Sequence, residues 1–202
     1  MGKKKAPQSG FKQRQFKKLA ALYQKMEEHY DAQARQIGLR CAGCTDNCCT
    51  SYFQHHTYVE WLYLWEGIRS CPDEQQARFL ERAREYVEQS REALARNERP
   101  RLMCPLNEDG WCAVYRHRLM ICRLHGVPNR LRYPNGRVQH FPGCWRCQEL
   151  TAEAPLTPVL DRTPLYQELV AIEKGLLGGK IATLPRVDMT LAEMLVHGPP
   201  QV

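Results

Sequence analysis

Apolar residues at Phe16, Leu19, Tyr23, Met26, Tyr30 and Ile37 recur mostly at steps of three and four. That spacing lines one face of an α-helix and predicts an amphipathic helix over 11–38, closed by Gly38. Thr57 and Glu60 have capping-box spacing ahead of Trp61, Leu62, Leu64, Trp65 and Ile68, so a second helix is expected over 57–70. Pro72, Asp73 and Glu74 suit a helical first turn, where a fixed φ and negative charge are favoured. Leu80, Ala83, Val87 and Leu94 then mark the core-facing stripe of a third helix over 72–97. Thr163 and Pro164 open another over 162–177, carried by Leu169, Val170, Ile172 and Leu176 and stopped by Gly178 and Gly179. A last short helix follows the Thr190–Glu193 capping box and ends before Gly198, Pro199 and Pro200.

Between residues 101 and 147 the helical period fails, while Pro, Gly, Asn, Cys and Arg become frequent. Short strands and loops are expected there. The fold class that follows is mainly α: a single helical domain around a cysteine-rich, loop-built metal centre, with little or no β-structure. Residues 1–10 read as a basic flexible tail and 11–202 as one metal-binding domain. Within that domain the cysteine core spans 41–147 and a helical extension spans 148–202.

Ten cysteines stand in 202 residues. Nine are grouped: Cys41, Cys44, Cys48 and Cys49; Cys104, Cys112 and Cys122; Cys144 and Cys147. A CxxC turn brings two sulfurs to one side, where they can share a metal ion or cluster. Cys48 and Cys49 are adjacent, and neighbours in extended chain face opposite ways, which hints at more than one metal atom. The nine grouped cysteines are the candidate ligands, and they allow two four-thiolate centres or one centre with a functional thiol. Cys71, beside Pro72, reads as a small packing residue. His55, His56, His117, His125 and His140 are alternative ligands in the same region; the pair His55 and His56 weighs most, and His117 and His125 suit surface or supporting positions.

Clustered thiols serve either disulfides or metals, and the compartment decides between them. The basic start MGKKKAPQSG leads into no apolar signal core, and no apolar run approaches the roughly 18 residues that span a bilayer. A cytoplasmic protein with no membrane partner is therefore expected. A disulfide scaffold is the competing use, but such frameworks favour secreted chains shorter than about 100 residues.

CAGCTDNCC at 41–49, Cys104-Pro105-Leu106, Cys112-Ala113-Val114-Tyr115-Arg116 and Cys122-Arg123 together resemble the YkgJ-like cysteine-cluster family, described as a zinc- or iron-chelating CxxCxxxCC domain. The resemblance covers about half the chain, residues 41–147, and implies metal binding through these cysteines. Leu119 stands where that family commonly carries Pro, and the CWRC at 144–147 is an addition. Some relatives are linked to lysine methylation; no Gly-rich loop after a strand is present here to hold a methyl donor, so that activity is not carried over.

Closed tetrahedral zinc sites and iron–sulfur clusters both use four thiolates. The irregular spacings and the excess of thiols over histidines favour an iron–sulfur cluster, with zinc as the alternative. A redox or substrate-modifying role follows from the first; a structural module binding protein or nucleic acid follows from the second. Residues 1–40 carry ten Lys and Arg against three acids, and residues 101–147 carry eight Arg against two. Arg116, Arg118, Arg123, Arg130, Arg132, Arg137 and Arg146 are candidates to frame an anionic ligand or to offset thiolate charge. The basic terminus suits an acidic protein surface or, as a third choice, nucleic acid. Tyr52, Trp111, Tyr115 and Trp145 are the aromatics expected beside the centre.

Overall fold

The computed structural model describes residues 7–41, 44, 48–153 and 158–202, without the side chains of 7–9 and 48. Its helices are α1 (Pro7–Gln36), α2 (Tyr58–Ile68), α3 (Asp73–Ala95), α4 (Met120–Leu124), α5 (Trp145–Thr151), α6 (Thr163–Leu177) and α7 (Leu191–Val196). Its strands are β1 (Asn107–Glu108), β2 (Trp111–Cys112), β3 (Asn129–Arg132), β4 (Val138–Phe141) and β5 (Leu160–Asp161). The chain is mainly helical, and every helix expected from the sequence forms. From Pro7 onward the expected tail is already helical; residues 1–6 lie outside the described residues. Among the described residues no helix is long and apolar enough to cross a membrane.

α1 buries Leu19, Leu22, Tyr23 and Met26 against α4 and α6, and Phe16 against the Tyr63 ring of α2. It ends where Gly38, at φ +70°, lets Leu39 N–H reach Ala34 O at 2.8 Å and its own N–H reach Arg35 O at 3.3 Å. These two bonds satisfy carbonyls the helix end would leave orphaned, and they bury Leu39 beside Ala34. The turn delivers the chain directly to Cys41.

α2 lies between two apolar clusters. Tyr58, Trp61, Leu64 and Ile68 pack with Phe79, Ala83 and Tyr86 of α3 and with Leu191, Met194 and Leu195 of α7. Val59 joins the other cluster, built from α1, α4 and α6. The helix starts where Thr57 and Glu60 predicted, yet the cap differs: Thr57 Oγ1 donates to Glu60 Oε2 at 2.9 Å instead of accepting from the backbone. Glu173 of α6 takes over, accepting the N–H groups of Tyr58 and Val59 at 2.8 Å each. A carboxylate at a helix N-terminus meets both the orphan donors and the positive end of the dipole. Glu60, freed from the cap and 4% exposed, accepts from Tyr23 Oη at 2.8 Å and Met120 N–H at 2.7 Å as well as from Thr57. One buried carboxylate thus ties α1, α2 and α4 together.

The stripe on α3 is rotated from the expected one. Phe79, Ala83, Tyr86 and Ser90 are buried, Leu80 and Val87 are half-buried, and Leu94 is 48% exposed. The two aromatic rings offer more apolar area than the leucines and take the position facing α7. At α7 the capping box forms in full: Glu193 N–H donates to Thr190 Oγ1 at 3.2 Å, and Thr190 N–H donates to Glu193 Oε2 at 2.7 Å. Replacing Thr190 with Ala is expected to cost about 1 kcal/mol. Urea denaturation checks this, and an unchanged midpoint would mean that the box adds nothing to stability.

The short strands expected between residues 101 and 147 form there, and with β5 they pair into two small sheets, more β-structure than the expected fold class allowed. β1 and β2 form a hairpin through Asp109 and Gly110, both at positive φ, 51° and 88°. β3 pairs antiparallel with β4, Asn129 opposite Phe141, and parallel with β5, Asn129 opposite Leu160. Two short helices, α4 and α5, also fall in or run on from this region. Residues 148–202 pack back on the rest of the domain, α6 on α1 and α7 on α3.

Candidate metal centre

Cys49, Cys104, Cys112 and Cys122 line one cavity of about 70 Å³, together with Phe53, His55, Tyr86 and Arg118. Each thiol comes from a different segment of the chain. Cys49 sits on a 3-10 turn, Cys48–Thr50, and its carbonyl accepts Cys104 N–H at 2.9 Å. Cys112 ends the β1–β2 hairpin, which is pinned by Ala113 N–H donating to Leu106 O at 2.9 Å. Cys122 lies in α4, whose start is held by the Glu60 carboxylate.

Burial pushes the Cys104 thiol well up, and the neighbouring Cys49 pushes it further, while the Leu106 N–H aimed at its sulfur opposes both. Cys122 is pushed up to about 12 by burial, then by Cys112 and Cys49, against Arg118. Cys112 is raised by burial, with the Val114 N–H opposing, Cys49 adding to the rise, and Arg118 and Arg123 lowering it. The sulfurs are therefore close enough to resist one another's ionisation. Without a cation beside them Cys104, Cys112 and Cys122 stay protonated at neutral pH; a bound metal reverses that balance and releases the protons.

A second set forms at the far CxxC pair. Cys41 and Cys44 share a turn, with Cys44 N–H donating to Cys41 O at 3.2 Å. Cys144 stands at the start of α5 and Cys147 is wholly buried within it. The Cys144 thiol is raised by burial, lowered by the Cys147 N–H, and raised again by Cys41 and Cys44. Cys147 is pushed up to about 11 by burial and by Cys144. Gly143 precedes them at φ +86°, where a Cβ would stand 2.8 Å from Gly126 O and 3.1 Å from Cys147 Sγ. Only glycine fits that approach.

The cysteines thus sort differently in space from their order in the chain: 49, 104, 112 and 122 in one set, 41, 44, 144 and 147 in the other. The Cys48 side chain lies outside the described residues. Among the described residues no group of three or more Cys, His, Asp or Glu is drawn together tightly enough to hold a metal ion. The first set surrounds a cavity instead of meeting at a point. Cys71 stands apart, its thiol donating to Gly67 O at 3.6 Å and packed against the α2–α3–α7 cluster.

His55 is 2% exposed and lines the thiol cavity, and its Nδ1 has no hydrogen-bond partner among the described residues. His56 faces outward, 3.4 Å from Asp188. His117 packs on the Tyr63 ring at 4.5 Å, His125 is 3.2 Å from Ser51 Oγ, and His140 is exposed on β4. Of the named arginines, Arg118 and Arg123 act on the first thiol set. Arg123 is 3% exposed, lies 4.1 Å over the Tyr23 ring and donates to the carbonyls of Arg116 and Arg118 at 2.9 Å each, so it also holds the turn before α4. Arg130 pairs with Asp161 and Arg137 lies over Tyr133, so the named arginines do not frame one anion site.

A larger cavity, of about 800 Å³, adjoins the first; Ser51 and Phe53 line both, and Cys144 lines the larger. Tyr52 and Trp145 line it too, whereas Trp111 is 73% exposed and Tyr115 points away to Glu27. Its arginines are Arg99, Arg101 and Arg162, none of them singled out by the sequence pattern. Comparison with protein-family models, with curated proteins and with solved structures finds no match to this chain.

Proposed function

We propose that this chain is a cysteine-ligated metalloprotein with two four-thiolate centres, one held by Cys49, Cys104, Cys112 and Cys122 and the other by Cys41, Cys44, Cys144 and Cys147. The observation that carries this reading is the first cavity: four separate segments place four thiols around one space, close enough that each raises the cost of ionising the next, a cost that a metal cation between them would reverse. Backbone N–H groups aimed at Cys104 and Cys112 favour the thiolate form, as expected of groups that support a ligand. Space between the sulfurs, and the absence of carboxylates among the described residues lining it, suit an iron–sulfur cluster at the first centre. Such a cluster supplies reversible electron storage. Zinc is the second reading, favoured at the other centre by its pairing of two CxxC clamps.

The ordered motifs from CAGCTDNCC to Cys122-Arg123 support placing the chain with the YkgJ-like family. A cytoplasmic location belongs to the same reading, since a reducing compartment keeps such thiols available to metal. Metal analysis of single variants tests the two-centre assignment. Cys112→Ser is expected to lose the first metal and keep the second, Cys147→Ser the reverse, and Cys71→Ser to keep both. Full metal content in Cys112→Ser would overturn the assignment.

A further inference from the structure

Two large cavities lie side by side. The one of about 800 Å³ carries Arg99, Arg101 and Arg162. A second, of about 820 Å³, lies between α6 and the turn after β3 and carries Arg132, Lys174 and again Arg162. Ile121 and Arg162 line both spaces, so the two meet along these side chains. Five Lys and Arg thus face the pair, and the described residues lining either space include no Asp or Glu.

That charge is not answered from within. Arg132 and Lys174 are exposed and pair with no carboxylate among the described residues. Arg162 is half-buried with its guanidinium 3.8 Å over the Phe141 ring, and burial, Tyr133 and Tyr166 are what act on its charge. Arg99 donates one N–H to Tyr52 O at 3.1 Å and is otherwise open to solvent. A cleft lined by one sign of charge focuses its field and concentrates ions of the opposite sign.

Shape and wall chemistry narrow the partner. The spaces are concave, which a flat bilayer surface cannot fill, and each falls within the small-molecule range of about 300–1,000 Å³, which a duplex is too broad to enter. Tyr52, Phe53 and Trp145 line the first space, and Tyr133 and Tyr166 the second. Cations that follow a phosphate backbone beside aromatic rings that stack on bases are the chemistry of single-strand binding.

We propose that the paired cavities form one groove for single-stranded nucleic acid. Phosphates meet the arginines and Lys174, Arg162 holds the strand where one space passes into the next, and unpaired bases stack on the aromatic walls. The groove does not rest on metal at either cysteine set, although Cys144 forms part of one wall.

The test is fluorescence anisotropy of a labelled oligothymidylate of about 12 nucleotides with the full chain, with a duplex of equal length, an abasic strand and oligoglutamate as separate arms. Micromolar binding is expected at about 50 mM salt and at least about tenfold weaker binding at about 200 mM. Each of the other probes is expected to bind at least about tenfold more weakly than the oligothymidylate. Arg132→Gln with Lys174→Gln is expected to weaken binding about tenfold and to lower the slope of log affinity against log salt by about 1.4, and the fold is expected to stand because both side chains are exposed. Lys17→Gln with Lys18→Gln removes equal charge from exposed positions on α1, outside the groove, and is expected to change affinity by less than about threefold. No binding at about 100 μM protein, any of the other probes bound as tightly as the oligothymidylate, or equal weakening by the two double variants would each overturn the proposal.

Discussion

Replacing Glu60 with Ala is expected to destabilise the fold by about 3–5 kcal/mol, a large part of the stability of an ordinary domain. The carboxylate accepts from Tyr23 Oη, Thr57 Oγ1 and Met120 N–H, all within 2.9 Å and all buried. Truncation strands three donors at once. The Tyr23 hydroxyl is held well above its usual pKa by burial and by the Glu60 charge, so it remains a donor and cannot adapt by ionising. Glu60→Gln keeps one acceptor oxygen but turns an N–H toward donors, and about half the loss is expected. Urea denaturation reads both variants, and a loss below about 1 kcal/mol in Glu60→Ala would contradict a joining role for this residue.

Acid is expected to cost the protein on the order of 4 kcal/mol through His55 alone. Burial, and then the neighbouring His56, lower its pKa to about 3 from the usual 6.5. In the unfolded chain His55 gains a proton as pH falls through 6.5, while in the folded chain it stays neutral until pH 3. The unfolded state therefore binds more protons across that window, and stability present above pH 6.5 is lost progressively on the way to pH 3. Glu173 acts in the opposite direction: burial raises its pKa against the Tyr58 and Val59 N–H groups, so its protonation favours the folded state as pH falls. The difference between wild type and His55→Gln isolates the histidine. Denaturation midpoints at pH 7 and pH 4.5 are expected to fall further apart in wild type, and equal spacing would contradict a buried neutral His55.

Long periodic segments were legible because one apolar face repeats many times. α1 and α6 therefore form close to their expected bounds. α3 was placed correctly but its face was not, since Phe79 and Tyr86 compete with Leu80 and Val87 one position away. α4 and α5 are five and seven residues long, too short to show a period. The β1–β2 hairpin did carry a local signal, Asp109-Gly110, whose positive φ values match a two-residue turn.

The candidate site divides the same way. Cysteine spacing marked the thiols, and the structure brings eight of them into two sets. Spacing could not pair Cys41 and Cys44 with Cys144 and Cys147, because about a hundred residues separate them and their approach depends on the apolar cluster to which both α1 and Cys147 contribute.

The most direct test of the central claim is elemental analysis with acid-labile sulfide and a visible spectrum, on wild-type protein purified without oxygen. The two-centre reading predicts iron with sulfide, broad visible absorption, and loss of both in Cys112→Ser. Protein that carries neither iron nor zinc, with all its thiols titratable, would contradict it.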